Sequence, residues 1–249
     1  MSSLKESNYQ PLATPSAGLL KLQASWLSSA RSRLFRQVGI AHKQRVLDLG
    51  SGYGAVTDEL TRRSSGYVVA LDTNMVALRE GDRFEKVFRV GGDATCLPFS
   101  SATFDLVFCQ CTLMWTTPLA QVIAELWRVL DLEGQLIAIE PDYGAMIEYP
   151  PQIQSKDIWL SALERSGADP RVGRRLPYEL HSSGLDVKVF LFEKIYRAKK
   201  ERFAFLDDLA LSPDEADRLT EIRNSSSHLR AWEELSHLPF FLIIARKIS

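Results

Sequence analysis

A glycine-rich segment, LDLGSGYGA (47–55), carries the residues whose types and spacing could do chemistry. It follows a short β-branched run, so a strand is expected to pass into a helix here. Gly50, Ser51 and Gly52 lie at the turn, where glycines let the backbone bend tightly and approach a ligand at the carboxyl edge of a sheet. The spacing of Gly50, Gly52 and Ala55 also satisfies the fingerprint of dinucleotide-binding proteins, which is a weak pattern on its own.

Asp48 favours a cationic ligand over a dinucleotide. It lies two residues before the first glycine, close to where a pyrophosphate would rest on the helix N-terminus. A fixed carboxylate there would repel the phosphates, whereas it suits an ammonium group beside a sulfonium cation. S-adenosylmethionine carries both groups. The alternative interpretation is that Asp48 only shapes the end of the strand.

Two further acids follow the next two predicted strands. Asp72 ends the run VVALD (68–72), where it could accept hydrogen bonds from two ribose hydroxyls. The alternative is that Asp72 only caps the following helix, which Thr73 or Asn74 could do instead. Asp93, followed by Ala94, could accept a hydrogen bond from an adenine amino group, although an isolated Asp is more often a turn residue.

Composition excludes several function classes. The chain has 249 residues, 45% of them hydrophobic, and a net charge of -1. This near-neutral balance predicts neither a nucleic acid nor an anionic membrane as a partner. The four histidines and three cysteines have no metal-ligand spacing, so we expect no metal site. A polar N-terminal region and the lack of a long apolar run predict a soluble protein, and the cysteine usage fits a reducing cytoplasm.

Alternating strand and helix patterns predict an α/β fold with a mostly parallel sheet. The expected strands are 45–49, 67–71, 86–90, 104–108, 135–139, 187–195 and 239–247. The clearest helix lies between the fourth and fifth strands, with Thr117 as its N-cap and Pro118 at its first position. Segments 19–38 and 199–235 also have helical patterns and could cover the ligand-bearing edge of the sheet.

With these residues together, the chain resembles the class I S-adenosylmethionine-dependent methyltransferases, in particular the broad group that includes ubiquinone and menaquinone biosynthesis enzymes. The matching segments, in the family's order, are VLDLGSGYG (46–54), VVALD (68–72), GGDATCLPF (91–99), FDLVFCQCTLMW (104–115) and ELWRVLDLEGQLIAIEPD (125–142). The resemblance implies a seven-stranded Rossmann-like sheet with helices on both faces and an antiparallel last strand.

We therefore expect one methyltransferase domain over residues 1–249. Within it, 1–40 would form an N-terminal helical cap, 41–198 the cofactor-binding core, 199–236 a helical insertion and 237–249 the last strand. The resemblance implies S-adenosylmethionine as cofactor and places the methionine part near the glycine loop and Gln110. The candidate cofactor-binding residues are Asp48, Gly50, Ser51, Gly52, Asp72, Thr73, Asp93, Ala94 and Gln110.

The methyl acceptor is expected at the ends of the fourth and fifth strands, and its candidate catalytic residues are Asp142, Tyr143 and Trp115. Asp142 could orient or deprotonate a hydroxyl or amine, while the two aromatic side chains could form apolar walls. A plain loop of turn-forming residues is an equal alternative. The family often has histidines after the fourth strand, where this chain has Leu113 and Met114, so no general base is evident.

A basic segment, 167–177, is expected to form a turn before a short helix. Arg174 or Arg175 could bind a carboxylate or phosphate. A solvated turn in which each arginine has a partner acid is the favoured interpretation.

The leading hypothesis is an enzyme that methylates O, N or C of a small molecule, and the chain could form a homodimer. A methyltransferase-fold module that binds the cofactor without turnover is a second interpretation. A nicotinamide-dependent oxidoreductase is a third, which Asp48 disfavours.

Overall fold

The computed structural model describes residues 15–191, 195, 198–230 and 232–248. Its strands are β1 (Arg45–Leu49), β2 (Tyr67–Asp72), β3 (Val87–Gly91), β4 (Phe104–Gln110), β5 (Leu130–Pro141), β6 (Ile147–Tyr149), β7 (Leu185–Leu191), β8 (Leu235–His237) and β9 (Phe240–Lys247). Seven of them form a sheet in the order β3-β2-β1-β4-β5-β9-β7. The first five pair in parallel, and β9 runs antiparallel to β5 and β7. The expected fold class is confirmed.

Helices cover both faces of this sheet. Those in the described part of the chain are α1 (Ala17–Trp26), α2 (Ser28–Gln37), α3 (Thr57–Arg63), α4 (Met75–Glu80), α5 (Leu119–Val129), α6 (Lys156–Arg165), α7 (Val172–Ser182) and α8 (Pro213–His228). Side chains of α1, α2 and α3 share one buried cluster with the sheet, and those of α5, α6, α7 and α8 share the other. None of the helices described is both long and apolar enough to cross a bilayer.

The N-terminal helices pack more deeply than an edge cap would. Leu34 and Phe35 of α2 are fully buried, and the Phe35 ring lies 5.4 Å from that of Phe108 in β4. At about 25 cal/mol per Å² of apolar surface, burying two such side chains stabilises the fold by several kcal/mol. Segment 19–38 contains parts of two helices, α1 and α2. The second, α2, belongs to the hydrophobic core on one face of the sheet.

Two predicted boundaries around α5 are wrong. The helix begins at Leu119, so Pro118 is its N-cap and Thr117 lies outside it. The ψ of Pro118 is 134°, which is extended backbone, and no side chain caps the helix. A proline fixes only φ, and φ alone does not separate the cap from the first helical position. At the other end β5 begins at Leu130, directly after the helix and earlier than expected.

The later elements also differ from expectation. Arg174 and Arg175 lie inside α7 rather than in a turn, and Ile195 lies outside β7, which begins at Leu185. Segment 199–236 is only partly helical. It contains a short 3-10 helix (Lys200–Phe205), α8, and the start of β8, which pairs with β6.

Candidate active site

The carboxyl ends of β1, β2, β3 and β4 meet at one side of the sheet, here called the carboxyl edge. Leu49 of β1 lies opposite Leu71 of β2 and Cys109 of β4, and Asp72 of β2 lies opposite Gly91 of β3. The segments that follow these strands therefore start side by side. This is the place where open parallel sheets bind their ligands.

Backbone hydrogen bonds hold the glycine loop at this edge. The N–H groups of Gly50 and Ser51 both donate to the carbonyl of Leu71, at 2.8 and 3.1 Å. Gly50 has a φ of +71°, and a Cβ at this position would overlap the Thr112 side chain. The Ser51 hydroxyl is buried and has no hydrogen-bond partner among the described residues. The loop is thus fixed by its backbone, while the Ser51 hydroxyl takes no part in holding it among the described residues.

Asp72 links the glycine loop to the residue that caps α4. Its Oδ2 accepts from the Gly52 N–H at 2.7 Å, and its Oδ1 accepts from the Asn74 N–H at 2.8 Å. Asn74 is the N-cap of α4, where its side chain accepts from two backbone N–H groups. The capping role therefore belongs to Asn74. A carboxylate oxygen has more than one acceptor site, so Asp72 can still receive hydroxyl donors from a ligand.

Asp48 lies beneath the loop and is 3% exposed. The Thr57 hydroxyl donates to its Oδ2 at 2.5 Å. Burial raises the pKa of Asp48 to about 7. The hydrogen bond from Thr57 opposes this rise, the nearby Asp72 adds to it, and the charge of Arg31 also opposes it. An ionised acid without a cation is therefore costly here, which suits a positively charged ligand.

The segment after β3 forms a local turn. Asp93 is exposed, and its Oδ1 accepts from both the N–H and the hydroxyl of Thr95, at 2.7 and 2.8 Å. Ala94 is buried in the core beside it. Thr73, after β2, is exposed. The structure brings Asp93 and Thr73 to the same edge as Asp72, while Asp93 also makes the turn that was its alternative interpretation.

Gln110, at the end of β4, contacts an arginine from the N-terminal helices. Arg31 of α2 is 4% exposed, and its Nη1 donates to the Gln110 Oε1 at 3.0 Å. The same guanidinium donates to the Ala24 carbonyl at 3.0 Å and pairs with Glu59 at 2.6 Å. A buried cation thus lies beside the residue expected near the methionine moiety.

Two of the candidate acceptor residues, Trp115 and Tyr143, pack against the hydrophobic core. Trp115 ends a short 3-10 helix (Leu113–Trp115) and is half-buried against the core. Tyr143 is buried with its ring 4.9 Å from that of Trp159. Burial raises the pKa of the Tyr143 phenol well above its usual range. Its environment therefore suits packing rather than proton transfer.

Asp142 is engaged by an arginine. Both of its oxygens accept from Arg174 of α7, with Nε to Oδ2 at 2.5 Å and Nη2 to Oδ1 at 2.9 Å. Asp142 is 1% exposed. Arg175 pairs with Asp169 at 2.7 Å. Both arginines thus have a partner acid, and neither is a free anion site.

Comparisons with known proteins agree with this geometry. A model of a methyltransferase domain matches residues 47–138. A demethylmenaquinone methyltransferase from Mycolicibacterium paratuberculosis is 32% identical over 185 residues, which cover 74% of this chain and 72% of the relative. The chain belongs to the class I S-adenosylmethionine-dependent methyltransferases. As a member of this family it is an enzyme that uses S-adenosylmethionine, and the comparisons do not favour the nicotinamide-dependent or non-catalytic interpretations.

Other likenesses are narrower. A malonyl-(acyl-carrier protein) O-methyltransferase from Legionella pneumophila is 31% identical over 113 residues, covering 43% of this chain and 40% of the relative. The solved structure of YcgJ from Bacillus subtilis superposes with a TM-score of 0.66 at 16% identity, covering 89% of this chain and 99% of that one, and shares the fold. The two curated relatives are named for different acceptors, so similarity alone does not give the acceptor of this methyltransferase.

Two buried charged side chains near the candidate site, Arg31 and Glu140, have little signal in the sequence. They acquire partners only when distant segments meet, as does Arg174, whose partner acid was expected but not identified. Glu140 is fully buried at the end of β5, where its Oε1 accepts from two backbone N–H groups. A charged residue at a helical or strand position predicted to be buried is the one hint that could have singled out Arg31 and Glu140.

Proposed function

We propose that this methyltransferase binds S-adenosylmethionine across the ends of β1, β2 and β3 and methylates O, N or C of a small molecule held at the ends of β4 and β5. The observation that carries the proposal is the position of Asp72. Its carboxylate is anchored to the glycine loop through Gly52, while Asn74 takes over the capping of α4. Because Asp72 does not cap the helix and lies beside the glycine loop, it is placed where an acid could bind the ribose hydroxyls.

The chain's other residues fit the remaining parts of the cofactor. Asp48 offers a buried negative charge to the ammonium and sulfonium groups, and Ser51 offers an unpaired hydroxyl. Arg31 lies beside Gln110 near the methionine part, but its charge is already paired with Glu59, so we assign it to no group of the cofactor. Asp93 and Ala94 would flank the adenine. The ribose, the ammonium and sulfonium groups and the adenine then each meet a residue of matching chemistry.

The protein's part in the reaction is to position the acceptor and exclude water. When bound, the cofactor supplies a methyl group on a sulfonium sulfur, and transfer breaks the carbon–sulfur bond as the nucleophile forms its own bond to the methyl carbon. A base is required only where the nucleophile arrives protonated. Trp115 and Tyr143 would supply apolar walls. Asp142, whose two oxygens are held by Arg174, would fix the segment after β5 that borders the acceptor.

The proposal covers the chain as one catalytic unit. In this proposal residues 1–40 cover the sheet, 41–198 hold the cofactor, 199–236 form an insertion that is only partly helical, and 237–249 supply the last strand. Residues 1–14, 192–194, 196–197, 231 and 249 of these segments lie outside the described residues. We also propose a cytoplasmic enzyme with no nucleic acid or membrane partner. A homodimer stays a prediction, which sedimentation of the purified chain would decide.

Titration calorimetry tests cofactor binding. We expect S-adenosylmethionine and S-adenosylhomocysteine to bind with at least micromolar affinity, about 8 kcal/mol, and NADH not to bind. Asp72→Ala should weaken both ligands by roughly 2 to 4 kcal/mol in a folded protein. The matched control is Asp58→Ala, an exposed acid of α3 whose partner is Arg62. NADH binding, or a folded Asp72→Ala with unchanged affinity, would refute the proposal.

The acceptor is then found by its chemistry. Incubation of the enzyme with methyl-labelled cofactor and fractionated metabolite extract should label a small, partly apolar compound. Label confined to protein or nucleic acid fractions would contradict a small-molecule acceptor.

A further inference from the structure

Glu140 is a buried acid that the proposed function leaves without a role. It lies at the end of β5 with no exposed surface. Its Oε1 accepts from the N–H groups of Thr112 and Leu113, at 2.9 and 2.8 Å. Its Oε2 is buried and has no hydrogen-bond partner among the described residues. One oxygen of Glu140 thus binds a turn of the backbone, and the other is removed from water without a hydrogen bond from the described residues.

The turn that Glu140 holds reaches the glycine loop. The Thr112 hydroxyl lies 3.2 Å from the carbonyl oxygens of both Leu49 and Gln110, and its one hydrogen can be donated to either. The Thr112 side chain also fills the space that a Cβ at Gly50 would occupy. Thr112 is therefore a spacer between Glu140 on one side and the loop on the other. Any loosening of its backbone is transmitted to Gly50.

Fold stability does not account for a carboxyl group at this position. Burying an acid with one unpaired oxygen costs free energy, and an apolar side chain of similar volume is often as stable or more so in such a place. Glu140 nevertheless offers something an apolar residue lacks, since it accepts two otherwise unpaired N–H groups. When it is ionised these hydrogen bonds are charge-assisted and stronger.

Glu140 gains or loses its proton near neutral pH. Burial raises the pKa of Glu140 to about 7, against the effect of the hydrogen bonds it accepts from the turn. The titratable groups that interact with it are the thiols of Cys109 and Cys111. Asp142, two residues further along the chain, is paired with Arg174. Burial raises the pKa of both thiols, so they stay neutral over the range in which Glu140 titrates.

We propose that Glu140 is a positioning residue for the cofactor, which it does not touch: through Thr112 it holds the Gly50 turn in its binding conformation. This rests on the proposed cofactor site. The ionised carboxylate accepts strong hydrogen bonds from the turn, and protonation of Glu140 weakens these hydrogen bonds. Cofactor affinity should therefore rise with pH as Glu140 loses its proton. Because the effect passes through the loop, it should be equal for ligands that differ only in the charge on sulfur.

The test is Glu140→Gln, which keeps the shape and one acceptor oxygen but has no charge. Affinities for S-adenosylmethionine and for uncharged S-adenosylhomocysteine are measured by calorimetry at pH 6 and pH 8. We expect both ligands to bind Glu140→Gln about fivefold more weakly than wild type at pH 8. At pH 6, where the wild-type carboxyl is mostly protonated, the difference should nearly vanish. Equal affinities at both pH values would overturn the proposal, and so would an effect confined to the sulfonium ligand, which would indicate a direct charge interaction.

Asp105→Asn is the matched control. Asp105 also accepts from two consecutive backbone N–H groups, those of Gln44 and Arg45 at 2.8 and 3.1 Å, but at the opposite end of β4. It should leave both affinities unchanged. If Glu140→Gln does not fold, amide exchange in the wild type decides the question, because protection of Thr112 and Leu113 should increase from pH 6 to pH 8 after correction for intrinsic rates. Failure of the wild type to bind either ligand would instead refute the proposed function.

Discussion

The candidate site has two halves, one around the glycine loop and one at the ends of β4 and β5. They differ in how far apart in the sequence their contacting residues lie. Around the glycine loop the side-chain contacts of the two acids are short in sequence: Thr57 reaches Asp48 over 9 residues and Gly52 reaches Asp72 over 20. At the ends of β4 and β5 the decisive partners are further apart. Thr112 meets Glu140 over 28 residues.

This difference shows how each half is positioned. The cofactor half is set by backbone geometry, since its loop donates to the Leu71 carbonyl and depends on the left-handed φ of Gly50. The acceptor half is set by buried charge, with Asp142 held by Arg174 and the turn at Thr112 held by Glu140. Substitutions should therefore act through sterics and strain in the first half and through electrostatics in the second.

The largest effect is expected from Gly50→Ala. The new Cβ would overlap Thr112 and force a residue with a side chain to keep a φ of +71°. Left-handed strain and overpacking together should cost about 4 kcal/mol of unfolding free energy. Urea denaturation measures this loss, and calorimetry should show cofactor binding weakened at least tenfold.

Gly184→Ala separates strain from overlap. Gly184 has a φ of +90°, and a Cβ there would meet no atom within 4 Å. It should therefore cost only about 1 kcal/mol and leave the affinity for cofactor unchanged. Equal losses in the two variants would show that steric contact with Thr112 does not set the loop.

A smaller effect tests whether buried charge also contributes in the cofactor half. The pKa of Asp48 is raised to about 7 by burial, so in the folded state it keeps its proton above the pH at which the unfolded chain releases it. The stability that protonated Asp48 contributes is therefore fully present below its unfolded pKa of about 4. This contribution is lost as the pH rises through the pKa of the folded state. Asp48→Asn removes this loss.

The measured quantity is the unfolding free energy of Asp48→Asn minus that of wild type, both without cofactor. This difference should increase by about 2 to 3 kcal/mol from pH 5 to pH 8. Asp58→Asn, at an exposed position of α3, is the control and should show no such trend. A difference between Asp48→Asn and wild type that does not change with pH would mean that Asp48 is ionised in the free enzyme.

The range of the contacts also explains what could be predicted from the sequence. The bounds of β1 and the placement of Gly50, Asp72 and Asn74 follow from local patterns, because each depends on residues nearby in the chain. The seven-stranded sheet with its antiparallel last strand follows from the resemblance, whereas the order of the strands was not predicted. The predicted features needed no knowledge of tertiary packing.

The rest depends on partners that no local pattern identifies. Arg31 contacts Gln110 over 79 residues, and Asp142 is paired over 32 residues with an arginine that was expected in a turn. The start of α5 was missed for a different reason, since Pro118 has a backbone φ that suits either side of the helix boundary. Long-range charge pairing and the ψ of a single residue are set by the folded environment.

An effect smaller than that of Asp48→Asn is expected in the acceptor half, at the pair formed by Asp142 and Arg174. Asp142 is 2% exposed in its side chain and Arg174 is 45% exposed, so the two partners should not be equally costly to lose. Arg174→Leu leaves a buried carboxylate without its donors and should cost about 1 to 2 kcal/mol, whereas Asp142→Asn leaves an arginine that water can reach and should cost less. Urea denaturation of both variants and of the double variant measures the coupling. Calorimetry should show cofactor affinity within about twofold of wild type in all three, because an energy change of less than about 0.4 kcal/mol is expected at the glycine loop. A large loss of cofactor binding in Arg174→Leu would break the comparison, since the two halves of the edge would then share one electrostatic network.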